Sequence, residues 1–403
     1  MVSTRHDVAI VGGGLVGTSL AIALDRSGID VALVEATATG TLPAVFDERN
    51  LSFAEATVNA LTALGVLQKL AGPVAPIRRI HVSRAGDFGR VRLDAGAYGR
   101  VAFGQVVVAR DFGQALEARL AETTRVTRYR PCRFLGVAAD GSTCREVRIQ
   151  DGDGERTITA RLLVGADGTR SGVRQALGIQ ADEHDYAQTL FVARVGAERL
   201  PDGTAYERFC DDGPTALLPR GDRHYGVVHA VSDTLADDVR AMDAAAFLSR
   251  LQRSFGWRVG RLLTVGERSR YAATGLLARE IRAQRAVLVG NAAQTLHPIG
   301  AQGFNLGLRD ALTLAELVAD ASDPGADALL AAYALRRRDD RERTVAFSDG
   351  LARLTSNTAG LVRPLRSLGL FAADRIPALQ GWLVGGAMGY RGDVPLLCRS
   401  QAP

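Results

Sequence analysis

The stretch Asp7–Glu35 constrains the fold more than any other part of this chain. An apolar run, Val8-Ala-Ile-Val11, enters a Gly12-x-Gly14-x-x-Gly17 turn; apolar residues at helical spacing follow, and a second apolar run, Val31-Ala-Leu-Val34, ends in Glu35. The pattern reads as strand, tight turn, amphipathic helix and strand closed by an acid. Gly12 permits the turn, Gly14 lets a pyrophosphate approach the backbone, Gly17 allows close helix packing, and Glu35 stands where a carboxylate accepts ribose hydroxyls. A bare Gly-x-Gly-x-x-Gly is weak, but both strands and the acid together make a dinucleotide-binding signature.

Two further segments extend it. Val287-Leu-Val289 reads as a buried strand running into a Gly-rich turn, with Gly290 and Ala292 small enough for backbone to meet a bulky ligand, and a helix is expected over Asn305–Val318. The free N–H groups and positive dipole end of that helix suit the anionic edge of a reduced flavin. Between the two, the strand Thr157–Val164 leads into Gly165-Ala-Asp167-Gly168, a turn whose carboxylate can organise one cleft, although Asp-Gly is also the commonest of turn pairs.

In this order the three segments resemble the flavoprotein aromatic hydroxylases of the para-hydroxybenzoate hydroxylase fold. The third motif of that family usually reads Gly-Asp-Ala; here it is Gly290-Asn291-Ala292. With Gln302-Gly-Phe-Asn-Leu-Gly-Leu-Arg-Asp310, Pro76–Ser83 and Phe255–Gly260, the chain is most similar to the polyprenylphenol hydroxylases of ubiquinone biosynthesis. The resemblance implies an α/β fold, in which an FAD-binding Rossmann-like domain interleaves with an antiparallel substrate domain and C-terminal helices follow. It implies that Glu35 binds the adenosine ribose, Arg49 lies beside the flavin and Arg110, just before a helix expected from Asp111, contacts the ribityl and phosphate region. Asp167 and Asn291, with the backbone of Gly300, Ala301, Gln302, Gly303, Phe304 and Asn305, would hold the ribityl chain and ring. It implies FAD as cofactor, NAD(P)H and O2 as co-substrates, and oxygen transfer to an electron-rich phenol carbon in a water-poor cavity near Pro298, Gly300 and Gln302. The expected substrate is a lipophilic phenol, 2-polyprenyl-6-methoxyphenol becoming the 1,4-benzoquinol, with another ring position of the ubiquinone precursor or another lipophilic phenol as the alternative. A non-catalytic FAD-binding scaffold in a quinone-biosynthetic assembly is the alternative from another class.

One departure bears on the flavin loop. The branch usually has Ile-Ala-Gly-Gln-Gly, whereas this chain has Ile299-Gly300-Ala301-Gln302-Gly303. If residue 301 needs positive φ, alanine there costs roughly 1 to 2 kcal/mol. No catalytic side chain is readable, and His297, beside Pro298 in the turn, reads as positional rather than as an acid or base.

Length and a 47% hydrophobic content accommodate two joined domains. The expected division is 1–72, 106–177 and 284–328 for the cofactor domain, 73–105 and 178–283 for the substrate domain, and 329–403 for a helical remainder. Strands are expected at Arg79–Arg84, Leu190–Val195, Ala216–Pro219 and His224–Val231, covered by a helix over Asp243–Phe255. The formal charge is +5, but Lys69 is the sole lysine and no basic stripe interleaves with aromatics, so nucleic-acid binding is not expected. Four cysteines form no C-x-x-C pair and no metal set, which fits a reduced, cytoplasmic setting. The expectation is of no secretory signal and no spanning segment. Arg336–Arg343 reads as a salt-bridged solvent face. Leu361–Tyr390, where Leu365, Leu368, Phe371, Leu379 and Trp382 stand among Arg363, Arg366 and Arg375, suits either an anionic inner-membrane surface or packing onto the parent domain.

Overall fold

In the computed structural model, residues 4–44, 47–138, 143–356 and 362–399 are described; the side chains of 352–356, 362, 363, 365 and 366 are not. Expectations that rested on Leu361, Arg363, Leu365 and Arg366 therefore lie outside the described residues. The architecture is the expected α/β one, with two large sheets and a small three-stranded one.

The cofactor sheet has the parallel strands Ala286–Leu288, Gly154–Gly165, Thr4–Val11, Val31–Val34 and Val126–Tyr129 side by side in that order. Apart from the edge strand Val126–Tyr129, their inner residues are continuous apolar runs, as burial on both faces requires. Register matters more here than composition. Val34 pairs with Val11, Val11 with Gly165, and Gly165 with Leu288. The segments that follow these four strands therefore emerge in a row along one sheet edge, the carboxyl ends at which such sheets bind ligands.

The second sheet forms a roof. Its strands run in the order Gln294–Thr295, Ser269–Ala278, Ala181–Ala197, Tyr225–Ser232, Gly213–Pro219, Thr204–Cys210, Arg79–Arg84 and Arg90–Asp94. Strand alternation sends one set of side chains, among them Val195, Leu217 and Val227, against the helix Ala244–Phe255, whose Phe247, Leu251 and Phe255 are fully buried. Asp243 caps that helix by accepting from the Ala246 N–H. The opposite set faces the cofactor sheet. Small differences from the sequence reading lie at helix ends: the helix expected from Asn305 begins at Gln302, and the one expected from Asp111 begins at Ala109.

The Arg336–Arg343 run departs from its expectation. It lies in the helix Asp327–Ser356, and Arg337 and Asp340 are fully buried, while Arg338, Asp339, Glu342 and Arg343 are exposed. The run is thus split between two faces at i, i+3 and i+4 spacing. The inward face meets Arg309 and Asp310 of the helix Gln302–Ala319. Arg309 donates to Asp340 at 2.6 and 3.0 Å, and Arg337 donates to Asp310 and Asp340, both at 2.7 Å. Burial alone would raise the Asp340 carboxyl, but Arg309 and Arg337 outweigh it and hold the group down at about 2. No described helix is long and apolar enough to cross a membrane.

Candidate active site

A cavity of about 920 Å³ lies between the carboxyl edge of the cofactor sheet and the inner face of the roof. Its floor is backbone. Gly12 has φ +108, and a Cβ there would stand 2.5 Å from the Ala166 carbonyl oxygen; a Cβ on Gly17 would stand 1.9 Å from the Gly12 carbonyl oxygen. Neither position admits a side chain, so the turn between the first strand and the helix Leu15–Arg26 is closed by sterics. Gly14 begins that helix and offers no side-chain cap. Glu35 accepts from the Gly13 and Thr37 N–H groups, both at 2.7 Å, which fixes its carboxylate at the rim with lone pairs to spare.

The loop before the helix Gln302–Ala319 carries the strain that its sequence foreshadows. Gly300 has φ +73, and Ala301 follows at φ +50 and ψ +39, a left-handed pair in which only the first residue is free of a Cβ. Asn305 holds that strain in place. Buried and saturated, it donates to the carbonyls of Ala301 and Ser52, each at 2.9 Å, and accepts from the Ala54 N–H at 2.9 Å and the Thr57 hydroxyl at 2.7 Å. Beside the loop, His297 accepts from the Ile299 N–H at Nδ1 and meets the Gln188 carboxamide at Nε2, and burial pushes its imidazole down to about 4. A neutral ring held from both sides positions the loop.

The structure brings Gly12, Gly14, Glu35, Arg49, Asp167, Gly168, Asn291 and the segment Pro298–Asn305 to this one cavity. Arg49 binds Asp47 through two 2.8 Å hydrogen bonds while its guanidinium stacks 4.2 Å over the Tyr271 ring of the roof. Asp167 is largely used by the protein: Ser171 and the Val173 N–H donate to it, so it caps the short helix Gly172–Ala176. Asn291 lines the cavity with no side-chain hydrogen bond among the described residues, whereas Gly17 lies behind the wall. Arg110 does not line the cavity; half-exposed in the first turn of the helix Ala109–Leu120, it pairs with Glu48. Gly290 is needed for a different reason than ligand approach, since Val16 and Gly307 crowd it where two helices meet the strand end.

Several lining residues escaped the sequence reading. Arg133 lies at the cofactor end, Glu207 on the roof, and Arg391 stacks 4.8 Å from both the Phe347 and Trp382 rings at the C-terminal side. Leu370, Ala373 and Leu383 of the last helices extend the apolar wall. None belongs to a motif; each is brought in by tertiary packing.

A cleft whose floor excludes side chains, whose rim offers a fixed carboxylate and whose closing helix has no side-chain cap fits a dinucleotide with a polar, ring-bearing end. Comparison with known proteins agrees. Residues 5–348 match the family described as FAD binding domain. The chain is 36% identical to the ubiquinone hydroxylase UbiL of Rhodospirillum rubrum, over 95% of this chain and 89% of that one. It is 29% identical to the 3-demethoxyubiquinol 3-hydroxylase of Escherichia coli, over 96% and 100%. In fold it is similar to the p-nitrophenol 4-monooxygenase of Pseudomonas putida, with a TM-score of 0.77 over 97% of this chain and 99% of that one at 18% identity. The chain belongs to the FAD binding domain family and is a flavoprotein aromatic monooxygenase of the para-hydroxybenzoate hydroxylase fold, in the branch that includes the ubiquinone hydroxylases.

Proposed function

We propose that this chain hydroxylates a polyprenylated methoxyphenol in ubiquinone biosynthesis, turning 2-polyprenyl-6-methoxyphenol into the 1,4-benzoquinol with NAD(P)H as reductant and O2 as oxidant. The observation that carries the reading is one continuous cavity with two chemistries: a polar floor of backbone and Glu35, and an apolar roof that continues between the last helices. The ubiquinone hydroxylases among its relatives supply the substrate class.

FAD, when bound, supplies electron transfer from the nicotinamide and the activation of O2. The chain's own residues would hold it: Gly12 and Gly14 at the pyrophosphate, Glu35 at the ribose, Asn291 at the ribityl hydroxyls and the first turn of Gln302–Ala319 at the ring. Arg133 would bring positive charge to the cofactor end, where Arg49 is already paired with Asp47. On the roof, Ile80, Val82, Val91, Leu93 and Leu218 line the cavity and would exclude water from the reacting groups.

The last helices, Val362–Arg375 and Pro377–Ala387, would rest on a lipid surface. Leu368, Phe371, Leu379 and Trp382 on them, and Ile376 between them, are exposed beside the exposed Arg375, while Leu370, Ala373 and Leu383 of the same helices face the cavity. A prenyl tail would pass between those two faces.

Deleting the gene and profiling quinone lipids by mass spectrometry tests the assignment. Accumulated polyprenyl-methoxyphenol with lost ubiquinone is the expected outcome. A differently substituted precursor would move the reaction to another ring carbon, as the name of the Escherichia coli relative illustrates. Unchanged ubiquinone, with no phenol-stimulated NAD(P)H oxidation by the purified flavoprotein, would overturn the reading.

A further inference from the structure

Glu207 is the one charged side chain that the roof presents to the cavity among the described residues. It sits on Thr204–Cys210 between two apolar neighbours, Val82 on one adjoining strand and Ala216 on the other, with Val228 one strand farther. Two residues along the same strand, roughly 7 Å away, Phe209 packs against Ile299 of the loop that opens the cavity helix. The carboxyl group therefore lies in the stretch of roof nearest that loop. It has no hydrogen bond or ion pair among the described residues, whereas the buried Asp310 and Asp340 are each held by arginines.

An unpartnered carboxylate in an apolar wall is costly unless it neutralises or meets a ligand. Burial pushes the Glu207 carboxyl up to about 7. Nearby ionisable groups are turned elsewhere. Arg208 points to the opposite face, where it donates to the Ser254 carbonyl; His81 and Tyr206 stack on each other 5.7 Å apart; Asp349 of the facing helix is bonded by Tyr186; His297 is neutral and held by Gln188. Arg391 lies across the cavity against the Phe347 and Trp382 rings.

We infer that Glu207 is a catalytic base that takes the proton of the phenolic hydroxyl, a role that rests on the hydroxylase reading above. The phenol O–H bond breaks and a carboxyl O–H bond forms. The electron pair left on the phenolic oxygen raises electron density at the ring carbons ortho and para to it, which is where an electrophilic oxygen is accepted. A base poised near neutral pH suits this task, because it is ionised before transfer and still basic enough to receive the proton.

The test uses purified, FAD-loaded wild type, Glu207→Gln and Glu207→Asp with a short-chain prenylated methoxyphenol. Product formation by the wild type should rise with pH through about 7 and then level. Glu207→Gln should keep its FAD and still show the phenol-induced change in the flavin spectrum, yet form product about a hundredfold more slowly near neutral pH. Its rate should recover only where the phenol ionises by itself, and Glu207→Asp should fall between. Independently of turnover, carboxyl-labelled infrared titration should show a protonated band in the wild type that fades near pH 7 and is missing in Glu207→Gln. An unchanged rate and pH profile in Glu207→Gln would overturn the proposal, as would loss of phenol binding with FAD retained, which would make Glu207 a binding contact. A wild type without phenol-stimulated NAD(P)H oxidation removes the hydroxylase reading and the base with it, while the infrared titration still reports the carboxyl itself.

Discussion

The floor and the roof of the cavity are built by opposite rules. The floor is backbone held by paired polar groups: Asn305 makes four hydrogen bonds, Glu35 accepts from two amides, and Arg309 and Asp310 of the cavity helix pair with the buried Arg337 and Asp340 of the helix behind it. The roof is a sheet of interchangeable apolar side chains with a single carboxylate. The difference separates two tasks. A cofactor common to many relatives demands fixed geometry, whereas a lipophilic substrate demands volume, dryness and one placed polar group.

The contrast is sharpest at Gly17. Gly17→Ala puts a methyl group onto the Gly12 carbonyl, so the expected outcome is flavin-free, poorly folded protein, seen as loss of the flavin absorbance and of the cooperative melt. Next is Arg337→Leu, which leaves Asp310 and Asp340 short of a counter-charge; denaturant unfolding should show a loss of about 3 to 5 kcal/mol. Acid should then act on both halves at once. His297 under the floor loop and His229 in the roof are held neutral, at about 4 and about 3, by burial. Since the unfolded chain takes up those protons first, stability is complete above about pH 6.5 and falls as pH drops, by about 2 kcal/mol per ring at pH 5. Histidine NMR should find both rings neutral at that pH, and a charged ring in either half would break the parallel.

Leu218→Ala probes the roof alone. Because it widens an existing cavity, stability should fall by only about 1 to 2 kcal/mol with FAD content unchanged, and the KM for a short-tailed phenol should rise. Loss of FAD in that variant would mean that the two halves are not separable. The smallest effect belongs to Ala301→Gly, which relieves the left-handed alanine but adds freedom to the unfolded chain; the net gain should be under about 1 kcal/mol, read as a small rise in Tm.

The same division governs what could be read from the chain. The floor was legible because a backbone that must touch backbone, as at Gly12 and Gly17, or turn left-handed, as at Gly300, favours glycine. Asn305 could be placed at the loop but not seen to be a clamp, since its partners Ser52, Ala54 and Thr57 are remote in sequence. In the Arg336–Arg343 run the exposed face was legible, with Arg343 paired to Asp339, but the buried face was not, because alternating charges look alike whether water or Arg309 and Asp310 face them. Glu207 was illegible, because a lone acid in an alternating strand has the pattern of a solvent-facing position. Arg133 and Arg391 carried no signal at all, as nothing local distinguishes a cavity arginine from a surface one.

The row formed by Val34, Val11, Gly165 and Leu288 also sets a timetable for biogenesis. During synthesis the first strand, its turn and Glu35 leave the ribosome early, but the loop at Gly300–Ala301 and its clamp Asn305 leave late, and the anchoring Arg337 and Asp340 later still. A nascent chain stalled before them holds one wall of the pocket without its opposite wall. Flavin loading is thereby placed after most of the polypeptide has been made, and released fragments ending short of this region will carry the fingerprint yet remain colourless.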